Sequence, residues 1–553
     1  MKLTQTIKVL IVLALIANSI AMLFPSLRST FTPYYGSIAK HMVLTGNWTD
    51  LILSGHDWLD KPHLPFWLTA FSYKMLGITS FAYILPGFIF YLIGLYFTYK
   101  VARLWYGIDA ALLSVLFTAT ALHIMLSAAD VRAEAYLMGE VMGACYCWLR
   151  YDRDSKFKYL IGGAFFTALA MMTKGPFILI TIISGIAALW IYRGKGSNFV
   201  SFKWIFALIL SFILIAPELV ALYYQFDLHP DKIVFGHTNV SGIRWFFWDS
   251  QFGRFFNTGP IMSTNSSPWH YLYFVHTFLW AYLPWWPIFF IAVWQICSNY
   301  ISNRENQDAN VYLMASFFIT FILFSVTSFQ VDHYTNILFP FASIMCANWF
   351  IKMVSTSKVG DRHPIFYIEM TLSLLLLVAI LVAASLVLSD IWWMLLMILV
   401  VFAIVATFYY RAQGWQFRTI TYPSIVMCIL FIFAMMVNGS LYSKYDAGYQ
   451  IALYLNKTVS APVYGYKIDM LSLDLHCQNQ YKLLDDLAEI KTVAKPVYIV
   501  VPAALLPELT SQFPTAKVEE TVGGGTIETF LNYITDSAEL NKHLDQYVVI
   551  RIE

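Results

Sequence analysis

Apolar runs long enough to cross a bilayer recur along most of this chain, and that decides what it can fold into. A hydrocarbon core roughly 30 Å thick takes about 20 residues of helix. Applied to the 553 residues, this rule gives about thirteen spans: 7–26, 81–101, 108–128, 131–149, 158–172, 176–192, 204–224, 271–297, 310–328, 334–352, 364–388, 391–410 and 420–439. Because a spanning segment must satisfy its own backbone, the expected fold is a polytopic α-helical membrane protein. Composition agrees, at 59% hydrophobic against 12% charged residues, outside the range of soluble globular domains. The first run carries no small-residue cleavage site, since Pro25, Leu27 and Arg28 stand where one would be, and is expected to remain as a helix.

Charge excludes other classes. A net charge of +2, spread in short patches between apolar runs, does not suggest nucleic acid as a partner. Of the six cysteines none has metal-ligand spacing, so neither a zinc site nor a disulfide framework is indicated. The basic patches report topology instead. Lys2 and Lys8, Lys100 and Arg103, Arg150 to Lys158, Arg193 to Lys203, Arg304, Lys352 to Arg362, and Arg411 and Arg418 occupy every second connection. The positive-inside rule then places the N-terminus in the cytoplasm and the C-terminal segment outside.

With that orientation the unusual polar residues gather on the external side, where charge near the membrane needs a reason. Asp57, Asp60 and Lys61 lie in the long first external loop. Asp130 and Glu134 begin a helix from that side, four residues apart and so on one helical face, an arrangement suited to acid–base or metal chemistry. Arg132 between them points elsewhere. Lys174 is the lone cation of a tight external turn, and Gln330, Asp332, His333 and Tyr334 form another. Arg254 follows an aromatic cluster, and its planar fork suits a phosphate. His270, beyond it, is a candidate metal ligand.

The first loop is the most informative segment. Tyr34, Tyr35, Ile38 and Met42 recur at helical spacing around Lys40 and His41, predicting an interfacial helix that ends near Gly46. Asp60-Lys61-Pro62-His63-Leu64-Pro65-Phe66-Trp67 follows. Proline favours the start of a second interfacial helix just after Lys61, where a helix N-terminus beside a lysine suits a phosphate. The competing reading is a solvated loop anchored by Trp58 and Trp67.

These residues resemble the membrane glycosyltransferases of the GT-C fold, especially the bacterial lipid A aminoarabinose transferases and the protein O-mannosyltransferases. The segment from Asp60 to Trp67 is similar to that family's acidic-Lys-Pro-Pro-Leu-Pro-aromatic-Trp stretch. Tyr35 to Met42, Asp130 to Leu137, Thr173 to Pro176, and His333-Tyr334 followed by Pro340 occur in the family's order. The resemblance implies an inner-membrane enzyme that moves a sugar from a polyprenyl phosphate donor to lipid A or another envelope acceptor. It implies that Lys61 holds the donor phosphate, with Lys174, Arg254 and Tyr334 as further contacts, and that Asp60 organises the phosphate network or a divalent cation. Two departures stand out. Phe31 and Thr32 occupy the place of the family's acid, and Gln330 replaces a lysine. The catalytic carboxylate then falls to Asp57, Asp60, or Asp130 with Glu134, unless the acceptor is itself an anion. Alternative readings are transfer to protein, a non-catalytic lipid-binding relative, and a lipid transporter.

The composition divides the chain into a membrane region, 1–442, and an external α/β domain, 443–553. Strands are predicted at Val463–Tyr466 and Val497–Val501, a helix at Leu505–Phe513, and a loop at Gly523–Gly525.

Overall fold

The computed structural model describes residues 3–23, 32–129, 132–258, 260, 269–301, 307–356, 363–387, 400, 414–459, 461–484, 486–493, 495–525, 529 and 537–553. Of the sequence expectations, the acid position Phe31, the candidate Asp130 and, apart from Val400, the span 391–410 lie outside these residues.

The N-terminal helices are α1 (Leu3–Ile20), α2 (Thr32–Thr45), α3 (Leu64–Leu76), α4 (Ser80–Ala102), α5 (Ile108–Ala119), α6 (Leu122–Ala129), α7 (Ala133–Asp154), α8 (Phe157–Lys174) and α9 (Ile178–Tyr192), with a small hairpin, β1 (Ile52–Leu53) and β2 (His56–Asp57), between α2 and α3. Among the described residues six helices are long and apolar enough to cross a membrane, and nine if each bent pair counts once. The thirteen spans expected from hydropathy are therefore not reproduced one for one. Helix α9, at 15 residues, is apolar but short. Helix α7 is the central packing element: nearly every residue from Ala133 to Leu149 is buried, against α4 and α8. Small residues permit this close approach, as is usual between membrane helices. A Cβ at Gly139 would collide with the Phe90 carbonyl oxygen of α4.

Three expected spans are bent rather than straight: α5 and α6 by 63°, Phe202–Leu214 and Ala216–Asp227 by 42°, and His270–Ala281 and Trp286–Ser298 by 117°. Pro217 and Pro284 stand at two of the breaks, where the missing amide donor interrupts the helical ladder. Two breaks serve each other, since the Leu122 amide donates to the Leu283 carbonyl at 3.0 Å and Trp285 Nε1 donates to Thr120 Oγ1 at 3.0 Å. Freed backbone groups are thereby satisfied inside the protein, as apolar surroundings require.

Helix α2 forms where expected and stops at Gly46, whose φ of +73° suits glycine. Its apolar face is not left to the membrane interface. Tyr35, Ile38, Ala39 and Met42 are buried in a cluster with Phe66, Tyr73, Tyr83 and Tyr136, and Tyr35 stacks on Phe66 at 4.9 Å.

The C-terminal segment builds a five-stranded sheet from β3 (Val463–Tyr466), β4 (Tyr481–Leu484), β5 (Val497–Pro502), β6 (Lys517–Gly524) and β7 (Asp545–Ile552), in the order β4-β3-β5-β7-β6. Strand β3 runs parallel to β4 and β5, while β7 is antiparallel to β5 and β6. Both faces are covered: Val497, Ile499 and Val501 enter one apolar cluster and Val463, Val500 and Val549 another. The predicted loop at Gly523 is corrected. Gly523 and Gly524 finish β6, paired with Gln546 and Asp545, because small residues there meet Leu544 and Ala447 closely. The sheet touches the first loop directly, with the Leu483 amide donating to the Ser54 carbonyl at 2.9 Å.

Candidate active site: a cationic head on an apolar cavity

The loop between β2 and α3 carries the centre of the site and is pinned from outside it. Glu218, fully buried, accepts from the His63 amide through one oxygen and pairs with His63 Nδ1 through the other, both at 2.9 Å. His63 Nε2 lies 2.9 Å from the Thr49 carbonyl. Gln225 holds the preceding stretch by exchanging hydrogen bonds with Leu51, at 2.9 and 3.0 Å. Asp60 and Lys61 are thereby presented just before α3.

Asp60 is held between two cations. One oxygen accepts from Lys61 Nζ at 2.7 Å and the other pairs with the Arg254 guanidinium. Burial alone would raise its pKa, but Lys61 and Arg254 outweigh burial and hold the carboxyl well below the usual carboxylate range. Lys61 is brought down to about 8, chiefly by burial and further by Arg254 and Lys174, against the pull of Asp60. Arg254 also lies 5.3 Å from the Phe329 ring. It is delivered by the π-helical turn Trp245–Gly253, whose Gln251 caps the start of α9 by accepting from the Phe177 amide at 3.1 Å.

A second group adjoins the first. Lys174 closes α8, just before Gly175 with φ +96°. Its ammonium pairs with Glu134 and sits 3.8 Å from the Tyr334 ring centroid. The other Glu134 oxygen is 3.5 Å from His333 Nε2. His333 Nδ1 is 2.9 Å from Asp332 Oδ1 and 2.6 Å from Arg132 Nη1.

Both groups face one cavity of about 780 Å³ including its mouth. Asp60, Lys61, Lys174, Arg254 and Tyr334 line it together with Ile178, Leu323, Phe324, Trp245 and Phe255, and with the polar Thr181, Ser250, Gln251 and Thr327. The arrangement can take an amphipathic anion, with its charged group on the cations and its chain against the apolar wall.

The structure thus brings together Asp60, Lys61, Lys174, Arg254 and Tyr334, with Glu134 behind Lys174. Three expectations are corrected. Asp57 turns to Lys232 at 2.8 Å and Gln225 at 3.0 Å and does not line the cavity. Helix α7 begins at Ala133, with Arg132 extended at its N-cap, and Asp130 lies outside the described residues. Arg132, expected to point away, belongs to the His333 group. His270 does not line the cavity, and both Asp60 oxygens already face cations; no group of three His, Cys, Asp or Glu able to hold a metal occurs among the described residues. Sequence reasoning missed Glu218 and Gln251, which look there like ordinary polar residues near helix ends. Glu218 carried one usable signal, a carboxylate within an apolar run.

The sequence model for dolichyl-phosphate-mannose-protein mannosyltransferases matches residues 60–220. The crystal structure of ArnT from Cupriavidus metallidurans bound to undecaprenyl phosphate superposes with a TM-score of 0.73 at 13% identity, covering 99% of this chain and 98% of that one. The fold is the GT-C fold. Among curated relatives, a protein of Aquifex aeolicus is 23% identical over 342 residues, covering 60% of this chain and 61% of its own length. The undecaprenyl phosphate-alpha-4-amino-4-deoxy-L-arabinose arabinosyl transferase 1 of Pseudomonas fluorescens is 23% identical over 324 residues, covering 56% of this chain and 52% of its own length. The chain therefore matches about half to three fifths of the length of these relatives. Within the GT-C fold, the resemblance expected from the Asp60 to Trp67 segment holds, and the matched region 60–220 carries Asp60, Lys61, Glu134 and Lys174.

Proposed function

We propose that this chain is a glycosyltransferase that moves a sugar from a polyprenyl (undecaprenyl) phosphate donor to lipid A or a similar envelope acceptor, at the external face of the inner membrane. The observation that carries the proposal is a single cavity lined both by the cations Lys61, Lys174 and Arg254 and by apolar side chains such as Phe324, Ile178 and Phe255. A phosphate bearing a long isoprenoid chain has that same combination of charge and grease.

In the proposed reaction the bond between the sugar's anomeric carbon and the donor phosphate breaks, and the polyprenyl phosphate leaves with the bonding electrons. A new bond forms from that carbon to an acceptor oxygen. Charge grows on the departing phosphate, and preorganised cations in a partly desolvated site stabilise it. Lys61 and Arg254 supply that charge, Lys174 adds to it, and Asp60 and Glu134 hold the cations in place before the donor arrives. The carboxylate lining the cavity, Asp60, has a depressed pKa, which makes it a poor general base near neutral pH. The site therefore suits an acceptor that already carries negative charge, such as a phosphate group, and Phe31 and Thr32 in place of an acid are no obstacle to it.

The test is mass spectrometry of envelope lipids from cells with and without the chain, followed by transfer with purified protein and a polyprenyl phosphate sugar. A lipid A species heavier by one sugar, present only with the chain, is the expected result. An unchanged lipid A profile together with new glycoprotein would move the acceptor to protein, and no transfer to either would leave a lipid-binding relative.

A further inference from the structure

A second cavity opens at the far ends of the helices that build the first. Glu134 stands at the start of α7 and Asp152 near its end, about 27 Å apart at 1.5 Å per residue. That is close to the roughly 30 Å of a hydrocarbon core. Helix α9, though shorter, also begins at the first cavity and ends beside the second. The two cavities therefore sit at opposite faces of one helical layer.

The second cavity measures about 920 Å³ including its mouth. Three cations face it: Arg153 from the end of α7, and Arg193 and Lys195 from the turn after α9. Arg193 is fixed between Asp152 at 3.5 Å and Asp308 at 2.6 Å, and Asp152 is itself oriented by Trp190 Nε1 at 2.8 Å. Lys195 is placed by its amide donating to the Trp190 carbonyl at 2.8 Å, after Gly194 with φ +66°. It has no ion pair among the described residues. Arg153 has a side chain 72% exposed and, among the described residues, its one ion pair is with Asp154, at 3.8 Å. Two of the three cations thus remain available to an outside anion. Leu104, Leu149 and Leu189, from three different helix ends, supply an apolar wall beside them.

Surface charge alone would not need that wall. A basic fringe at a cytoplasmic boundary is the ordinary outcome of topology, whereas a roomy pocket that combines cations with leucines from converging helices is the form taken by lipid headgroup sites. We propose that this cavity binds the phosphate headgroup of an anionic phospholipid from the leaflet opposite the donor site, with Arg153 and Lys195 on the phosphate and the leucines against the adjoining acyl segment. Free phosphate shares the headgroup chemistry, but it makes no use of the leucines. The site is independent of whether the chain transfers a sugar.

The experiment uses the full chain purified in detergent, with phosphatidylglycerol or phosphatidylcholine added and retained lipid read by native mass spectrometry. Phosphatidylglycerol should be retained and phosphatidylcholine lost. Arg153→Gln with Lys195→Gln should weaken phosphatidylglycerol retention about thirtyfold, two cations' worth of attraction. Leu104→Trp, which fills the space and leaves every charge in place, should weaken it too. Lys156→Gln with Lys158→Gln, on the same basic connection but outside the cavity, should not. Equal loss in that control pair would reduce the effect to surface charge and overturn the proposal. So would undiminished retention in the Arg153 and Lys195 variant, or displacement of the lipid by millimolar inorganic phosphate.

Discussion

Lys40 of α2 is buried against Asp474, 434 residues later in the chain, at 3.1 Å, with only 2% and 6% of the two side chains exposed. Its ammonium also donates to the carbonyls of Asp474, Cys477 and Asn479. Nearby, Ser54 Oγ donates to Asp469 Oδ1 at 2.8 Å, and Gly36 leaves room for Leu475. The C-terminal sheet unit is thus fastened to the first loop on the same helix that sets Tyr35 against Phe66. Removing one partner of a buried pair strands the other, at a cost of about 3–5 kcal/mol. Lys40→Ala should lower the thermal unfolding midpoint and expose the C-terminal unit to limited proteolysis. A midpoint equal to that of the unmodified protein would show that the pair does not hold the two parts together.

Lys61→Ala removes the cation nearest the loop that precedes α3. Loss of one preorganised charge should reduce transfer by about a hundredfold or more, with folding and membrane insertion unchanged, because Lys61 lines a cavity and not the packed core. Transfer assays alongside size-exclusion profiles separate the two effects. Normal transfer by a folded variant would remove Lys61 from the site.

The pH dependence follows from the same residue. Lys61 falls to about 8 in the folded protein, so it is charged below that pH and neutral above it. Donor phosphate binds the charged form, and affinity should be full below about pH 8 and fall as pH rises through it, becoming about tenfold weaker at pH 9 than at pH 7. Titration of the protein with undecaprenyl phosphate across that range measures it. Lys61→Arg should move the break to higher pH; a break that stays in place would belong to another group.

Arg254→Lys keeps the charge and loses the fork. Because a guanidinium meets a carboxylate and a phosphate in fixed geometry and a lysine does not, turnover should fall by about tenfold. Equal activity of the two proteins would mean that Arg254 contributes charge alone.

Glu134→Gln leaves the shape of the residue and removes the charge shared between Lys174 and His333. Lys174 then loses its anchor, so turnover should fall more than donor affinity, as measured by kcat against the donor Kd. Loss confined to binding would show that the Glu134–Lys174 pair serves donor affinity and not the transition state.

Hydropathy and local pattern were enough to read a polytopic helical fold, the helix ending at Gly46 and the strands at Val463 and Val497, because each depends on local periodicity or on the solvent a segment must face. The pattern around Lys61 was legible for the same reason: proline, helix start and lysine are neighbours in the chain. Tertiary structure alone decided which acids belong to the site. Asp57 and Asp60 are three residues apart, yet one turns to Lys232 and the other to Arg254, and no local rule separates them. Lys40 looked like a polar position on a half-exposed helix and is buried because Asp474 and three carbonyls come to it from the other end of the chain. Short-range order follows from backbone geometry and solvent; the pairing of charges depends on contacts between distant segments, which exist only once the helices have packed.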